Sequence, residues 1–231
     1  TIIKSFSMEN LLSTIKIQVN EKIYVKDPET SILGKKIIEK SIILIDEIGF
    51  EEFTFKKLGD LIGSNESSIY RYFENKHKLL IYLCSWYWSW MEYRLVFTTN
   101  NLAHPLEKLK KAITLVTEKA EDDSKTTHIN ESILNNIIVA EFTKTLHTKE
   151  VDKENKEGFF LIYKRVINRI VSMINEVNPE YKFARSLASS IVEGALHQHF
   201  LQNHLKTITD CNETLSPTDF YINLIEKTLK K

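Results

Sequence analysis

The chain contains few of the residues that interrupt regular structure or form covalent crosslinks. Its 231 residues include only six glycines, four prolines and two cysteines. Scarce glycine and proline favour long helices. Cys84 and Cys211 are isolated in sequence and form no Cys-x-x-Cys pair. They therefore argue against a disulfide framework and indicate reduced thiols in a cytoplasmic protein.

The sequence also lacks long apolar runs and net charge. No stretch of about eighteen apolar residues occurs, so no membrane-spanning helix is predicted. Residues 1–6 do not have the pattern of a secretory signal. The 31 basic and 31 acidic residues cancel, whereas many DNA-binding proteins are basic overall. Any DNA-binding surface must therefore arise by sorting positive side chains onto one face.

Residues 54–76 have the pattern of two short helices joined by a tight turn. Thr54 is a good N-cap, and Gly63 supplies the left-handed conformation that ends a helix. In the second helix, Ile69 and Phe73 are four residues apart and point inward. The side chains on the other side of this helix are those of Ser67, Tyr70, Arg71 and Glu74. This layout is typical of a helix-turn-helix that reads DNA, and the alternative is a solvated helical hairpin.

The region around this segment resembles the N-terminal domain of the TetR family of transcriptional regulators. The resemblance is carried by the amphipathic helix 35–48, Gly49-Phe50, Phe53-Thr54, Tyr70-Arg71-Tyr72-Phe73, Lys76 and Leu79-Leu80. It implies an all-α homodimer whose N-terminal domains bind an operator and whose larger C-terminal domain often binds a small effector. The family usually has alanine where Gly59 stands here.

We therefore predict an all-α protein with three parts. An N-terminal arm covers residues 1–30, with a short helix over 9–24. A three-helix domain with the helix-turn-helix covers residues 31–77. A larger helical domain for ligand binding and dimerisation covers residues 78–231.

The predicted DNA-binding surface centres on the second short helix. Arg71 is the candidate base contact, because a guanidinium group matches guanine O6 and N7 in the major groove. Ser67 and Tyr70 lie beside it. The resemblance implies phosphate contacts from Thr54, Tyr72 and Lys76. The predicted set is completed by Lys57, Ser64 and Asn65. Two such domains in a dimer require a near-palindromic double-stranded operator.

The predicted helix after Lys76 is unusually rich in aromatic residues. A helix that is apolar on nearly all sides is buried, so these rings form the core between the domains, line an effector pocket, or do both. We predict a mostly apolar pocket bordered by this helix and by helices at 105–121, 130–147 and 157–177. Its predicted wall residues are Trp86, Trp90, Tyr93, Phe142 and Tyr163.

Two long helices predicted at 157–177 and 179–205 carry apolar stripes. The stripes either pack within one chain or form half of a four-helix bundle with a second copy, and the resemblance favours the dimer. The predicted interface consists of Tyr163, Ile167, Ile170, Ile174, Leu187, Ile191 and Ala195. A charge at Ile191 or Ala195 is then expected to separate the dimer.

No pattern of catalytic residues can be distinguished. Glu193, His197 and His204 share one helix face at a spacing that could hold zinc, although histidines near a helix end are more often capping or interface residues. We predict no catalytic residue, metal or cofactor. The predicted function is a transcriptional repressor released by a small apolar or aromatic effector. The alternatives are a helical interaction protein without ligand control and a metal-binding helical enzyme.

Overall fold

The computed structural model describes residues 17–120 and 128–230, and over these ranges the protein is all-α, as predicted. The ten α-helices of these ranges are α1 (Ile32–Glu52), α2 (Phe55–Ile62), α3 (Glu66–Tyr70), α4 (Lys76–Thr99), α5 (Pro105–Thr117), α6 (Glu131–Leu146), α7 (Val151–Lys156), α8 (Leu161–Val177), α9 (Ala184–His204) and α10 (Pro217–Thr228). Short 3₁₀ turns occur at Glu21–Ile23, Pro28–Thr30 and Lys206–Ile208. Most of the predicted arm helix lies outside the described residues.

Helices α1, α2 and α3 form the N-terminal part of the fold. The Ser31 hydroxyl accepts a hydrogen bond from the Gly34 N–H (3.1 Å) and so caps the start of α1. The buried face of α1 packs on α2 and also on α6. Gly49 interrupts the helix with a φ of 74°, a left-handed conformation that turns the chain towards α2. The end of α1 therefore lies where the two parts of the protein meet.

Helix α4 is the spine of the larger C-terminal part. Every residue from Leu79 to Trp88 is buried, because α4 packs against α5, α6 and α8. A helix surrounded in this way needs apolar side chains on all sides, which explains its aromatic sequence. None of the helices in the described part of the chain has the length and apolar character needed to cross a membrane.

The apolar stripes of α8 and α9 lie inside the single chain, which corrects the predicted dimer interface. Ile170, Ile174, Ile191 and Ala195 have no exposed surface, and Tyr163, Ile167 and Leu187 are at most 9% exposed. Helices α8 and α9 pack against each other and against α5, so these seven side chains are covered within the chain and offer little surface to a second copy. An apolar period predicts burial, but it does not say whether the covering surface belongs to the same chain.

Candidate nucleic-acid interface and effector cavity

The turn between α2 and α3 is built as the sequence predicts. Gly63 has a φ of 67° and ends α2. The Asn65 side-chain oxygen accepts from the Ser68 N–H (2.9 Å) and caps α3. A Cβ atom on Gly59 would lie 2.7 Å from the Ser64 carbonyl oxygen, so α2 approaches the turn too closely for alanine without a shift of backbone.

The outer face of α3 is open and polar. Ser67 and Arg71 are exposed, and Tyr70 is 47% exposed. The Tyr70 hydroxyl donates to Glu66 (3.3 Å), and its ring contacts Phe55 edge-on. Arg71 has no hydrogen-bond or ion-pair partner among the residues that the structure describes. Its guanidinium group is therefore available to a base edge.

Several other side chains predicted to contact DNA already form hydrogen bonds within the protein. The Thr54 hydroxyl accepts from the Lys57 N–H (3.2 Å), which leaves its own proton for a phosphate. The Lys57 ammonium donates to the Glu52 carbonyl (2.8 Å) and carboxylate (3.2 Å). Ser64 is half-buried, and the Asn65 oxygen serves the start of α3. Of these side chains, Thr54 is the best placed for a phosphate.

Two of the predicted phosphate contacts point inward, which corrects their assignment. Tyr72 is only 4% exposed, and its hydroxyl lies 2.8 Å from the Ser31 hydroxyl. The Lys76 ammonium donates to the carbonyl oxygens of Phe50 (3.0 Å), Glu51 (2.9 Å) and Phe53 (3.1 Å). These bonds use all three N–H groups of the ammonium, so Lys76 closes the end of α1 instead of reaching DNA. The turn at Gly49 brings these carbonyls together.

The described part of the N-terminal arm contacts the chain just after α3, and the sequence pattern did not predict this contact. The Val25 N–H donates to the Tyr72 carbonyl (2.8 Å), and the Lys26 ammonium lies 5.2 Å from the centre of the Tyr72 ring. The backbone of Pro28 contacts Gly34 so closely that any side chain there would collide with it. No local motif signals the contacts of Val25 and Lys26 with Tyr72, since they join segments far apart in sequence.

A cavity of about 700 Å³ lies between the arm, α4 and α8. The predicted pocket was bordered by the aromatic helix and by helices at 105–121, 130–147 and 157–177. Helices α4 and α8 do line this cavity, whereas no residue of α5 or α6 does. Of the predicted wall residues, only Tyr93 lines it. Phe142 and Tyr163 pack with Trp88 around a void of about 10 Å³, which is too small for an effector. Trp86 and Trp90 are buried and do not line the large cavity.

An ion-pair network around a buried carboxylate lies at one end of this cavity. The Glu92 carboxylate is 7% exposed and accepts hydrogen bonds from Arg165 Nε (3.1 Å), Arg165 Nη2 and Arg169 Nε (2.7 Å). Burial alone would raise the pKa of Glu92, but the hydrogen bonds and charges of the two arginines hold that pKa below its usual value. The carboxylate is therefore ionised and the three groups carry one net positive charge.

Glu92→Gln is expected to destabilise the protein most at neutral pH. A carboxyl group whose pKa is depressed on folding contributes stability above its ordinary pKa of about 4.5, and this contribution is lost as the pH falls through the folded value. The difference in unfolding free energy between the two proteins should therefore shrink below about pH 4.5. Urea unfolding across a pH series measures it. A difference that stays constant into acid would show that Glu92 is not ionised by its arginines.

Several hydrogen bonds join the end of α1 and the start of α4 to the C-terminal helices α6 and α7. The Phe50 N–H donates to the buried Glu141 carboxylate of α6 (3.2 Å). Lys144 of α6 pairs with Glu51 (2.8 Å). The His77 Nε2 atom lies 3.0 Å from Glu154 of α7. A movement of α6 or α7 would therefore displace the end of α1 and the start of α4.

The histidines of α9 do not gather into a metal site. In the described ranges, no group of three or more His, Cys, Asp or Glu residues is arranged to hold a metal ion. Glu193 accepts a hydrogen bond from the Tyr163 hydroxyl (2.6 Å), while His197 and His204 are exposed. Buried His199 contacts the Thr117 carbonyl (2.7 Å), and burial lowers its pKa.

Comparison with known proteins agrees with the helix-turn-helix geometry. Residues 37–83 match the family described as "Bacterial regulatory proteins, tetR family". No curated protein matches the chain in sequence.

Solved structures share the fold at low sequence identity. AibR in complex with isovaleryl coenzyme A and operator DNA is 16% identical, with a TM-score of 0.55 over 82% of this chain and 97% of that one. The ketosteroid transcriptional regulator KstR2 of Mycobacterium tuberculosis is 15% identical, with a TM-score of 0.53 over 93% and 96%. The superantigen PfiT is 16% identical, with a TM-score of 0.60 over 89% and 100%. Residues 37–83 therefore form a domain of the tetR family of bacterial regulatory proteins, and the remainder of the chain shares its fold with these solved structures.

Proposed function

We propose that the protein is a homodimeric transcriptional repressor that binds an operator through α3 and releases it when a small molecule occupies the C-terminal part. The observation that carries the proposal is the open face of α3, where Arg71 lacks an internal partner among the described residues. Its domain matches the tetR family model, and an unpaired guanidinium on a reading helix fits a guanine edge in the major groove.

The contacts divide into two classes. Arg71 reads a base, with Ser67 and Tyr70 beside it on the same face. Thr54 donates its hydroxyl proton to a phosphate at the start of α2, where the helix N-terminus already favours an anion. DNA contacts from Lys57, Ser64 and Asn65 are less well supported. Lys57 and Asn65 already form hydrogen bonds within the protein, and Ser64 is half-buried. Tyr72 and Lys76 act indirectly, since they stabilise the packing of the DNA-binding domain through Ser31 and through the carbonyl groups at the end of α1.

Arg71→Ala is expected to weaken operator binding by about 1–3 kcal/mol and to change binding to random DNA little. The reason is that a base contact contributes only where the matching base is present. Fluorescence anisotropy on an operator duplex and on a scrambled duplex, at several salt concentrations, measures both affinities. The operator sequence is first obtained by selection from a random duplex library.

Arg185→Ala is the matched control, since Arg185 is an exposed arginine on α9, far from α3 in sequence. It should bind both duplexes like the unmutated protein. If Arg71→Ala binds the operator as tightly as the unmutated protein, Arg71 does not contact a base. Failure of the unmutated protein to bind any selected duplex would end the proposed function as a whole.

Dimerisation is assigned to the outward faces of α8 and α9 instead of their buried stripes. An exposed row on α9, in which only Phe200 is half-buried, repeats every three or four residues, the period of helices that pack side by side. The row consists of Phe183, Ser186, Ser190, Glu193, His197, Phe200 and His204. Its serines allow close approach, and Phe183 is 65% exposed. Two reading heads related by a two-fold axis would bind half-sites roughly 34–36 Å apart, or a multiple of that distance, so the operator is near-palindromic.

Control by a small molecule is supported by the cavity between the arm, α4 and α8. Its volume of about 700 Å³ falls within the range of about 300–1,000 Å³ found for small-molecule sites. AibR, a structure of the same fold, was crystallised with both a small molecule and operator DNA. A ligand acts by favouring the arrangement of heads that does not fit DNA, and its effect is limited by its differential affinity for the two arrangements.

A protein-interaction role without DNA is the second candidate function. PfiT, described as a superantigen, shares this fold over 89% of the chain. The fold alone therefore does not choose between the two functions. The open face of α3 favours DNA, and the duplex selection decides between them. The proposal assigns no catalytic role to any residue.

A further inference from the structure

The walls of the large cavity are unequal in their hydrogen-bonding capacity. On the arm side, Glu29 already accepts from His128 Nε2 (2.9 Å) and from the Tyr82 hydroxyl (3.4 Å). At the other end, Arg169 donates only through Nε, to Glu92. Within the described ranges, its two terminal amino groups have no acceptor, so this end of the cavity has more N–H donors than the Glu92 carboxylate satisfies.

The two ends are far enough apart to act separately. Tyr82 and Glu92 are ten residues apart on α4, which corresponds to about 15 Å along a helix. Glu21, Asp27 and Glu29 also line the cavity on the arm side, and salt in the solvent, with a Debye length of about 8 Å, weakens their repulsion of an anion at the Glu92 end without removing it. Arg165 and Arg169 have 54% and 44% of their side-chain surface exposed, which places this charge at the cavity mouth.

The middle of the cavity offers little polar chemistry. The Ser85 hydroxyl donates to the Phe159 carbonyl (3.5 Å), and the Ser89 hydroxyl donates to the Ser85 carbonyl (2.8 Å). The Phe159, Ile162 and Tyr93 side chains complete this part of the wall. An apolar or aromatic body fits here, because both serine hydroxyls already donate within the protein and the other three side chains present mostly apolar surface.

We propose that this cavity binds an amphipathic organic anion. Its acid group, a carboxylate, sulfonate or phosphate, accepts hydrogen bonds from Arg169 and from the remaining N–H groups of Arg165. Its apolar body lies along α4 towards Tyr82. A second cavity of about 260 Å³ also has Arg169 and Val96 in its wall, so the acid group sits where the two cavities meet and a bulkier head can extend beyond it. This ligand class rests on the proposed effector control for its biological use.

A pair of fluorescent probes tests the charge requirement directly. Anilinonaphthalene sulfonate and phenylnaphthylamine share one ring system, and only the first carries an acid group. The unmutated full-length chain should bind one sulfonate probe per chain, at least about tenfold more tightly than the neutral probe, because a charge-assisted hydrogen bond is added. Equal affinity for the two probes would overturn the proposal.

Arg169→Gln tests the assigned residue. It should weaken binding of the sulfonate probe about tenfold and leave the neutral probe unchanged. Glu92 keeps Arg165 as a partner in this variant, and circular dichroism verifies the fold. Arg185→Gln makes the same change on α9, outside the cavity, and should bind both probes normally. If Arg169→Gln retains full affinity for the sulfonate probe, the proposed site is wrong. If the variant does not fold, the comparison of probes on the unmutated chain decides.

The outcome is separable from that of the proposed function, because the titration contains no DNA. Binding of the sulfonate probe to a protein that binds no operator would leave the anion site standing without its regulatory role. If the protein binds the operator but shows no preference for the anionic probe, the proposed function stands and the anion site is wrong.

Discussion

Ile191→Asp is expected to unfold the protein, and not merely to separate two copies of it. Ile191 has no exposed surface, so the new carboxylate would be buried without a partner. A buried unpaired charge costs about 3–5 kcal/mol, a large share of the roughly 5–15 kcal/mol that stabilises a domain. Urea unfolding followed by circular dichroism measures the loss.

Ser190→Asp is the matched control, one residue away and on the exposed row of α9. It should leave the unfolding free energy nearly unchanged and weaken the proposed dimer by charge repulsion across the two-fold axis. Light scattering should then report a mass closer to the 27.0 kDa of a single chain than to twice that value. A well-folded monomer from Ile191→Asp would show that α9 faces a second copy through its apolar stripe after all.

Lys76→Met is expected to lower the unfolding free energy by about 3 kcal/mol. The substitution removes a charged donor and leaves the carbonyl groups of Phe50, Glu51 and Phe53 without their shared partner. Methionine keeps a long unbranched side chain, so the loss reports chiefly on the ammonium group, which also lies 4.8 Å from the centre of the Phe50 ring. Thermal and urea unfolding measure it.

The same variant separates a structural role from a phosphate contact. If Lys76 closes the end of α1, the variant still shows the unmutated salt dependence of operator binding wherever it is folded. A phosphate contact would instead leave stability unchanged and reduce the salt slope by about one. Lys111→Met, an exposed lysine on α5, is the control and should change neither quantity.

Local sequence patterns are sufficient to predict the elements of the helix-turn-helix at 54–76. The N-cap at Thr54, the left-handed Gly63 and the inward Ile69 depend on neighbours within one or two turns, so their pattern is visible in the chain. The all-α class follows from the same kind of information, because scarce breakers and helical apolar periods act locally. The resemblance to the tetR family rested on these residues, and the family match at 37–83 confirms it.

Contacts between distant segments, which local patterns do not predict, set what covers each surface and which polar groups meet. The apolar stripes of α8 and α9 predict burial equally well in one chain or in two. Tyr72 and Lys76 have the residue types of phosphate contacts, yet they are used by Ser31 and by the end of α1. The Glu92–Arg165 pair joins residues 73 positions apart, and the cavity beside it closes only when the arm packs near α4 and α8. Such contacts depend on how distant segments are brought together in space, and a one-dimensional pattern does not contain that information.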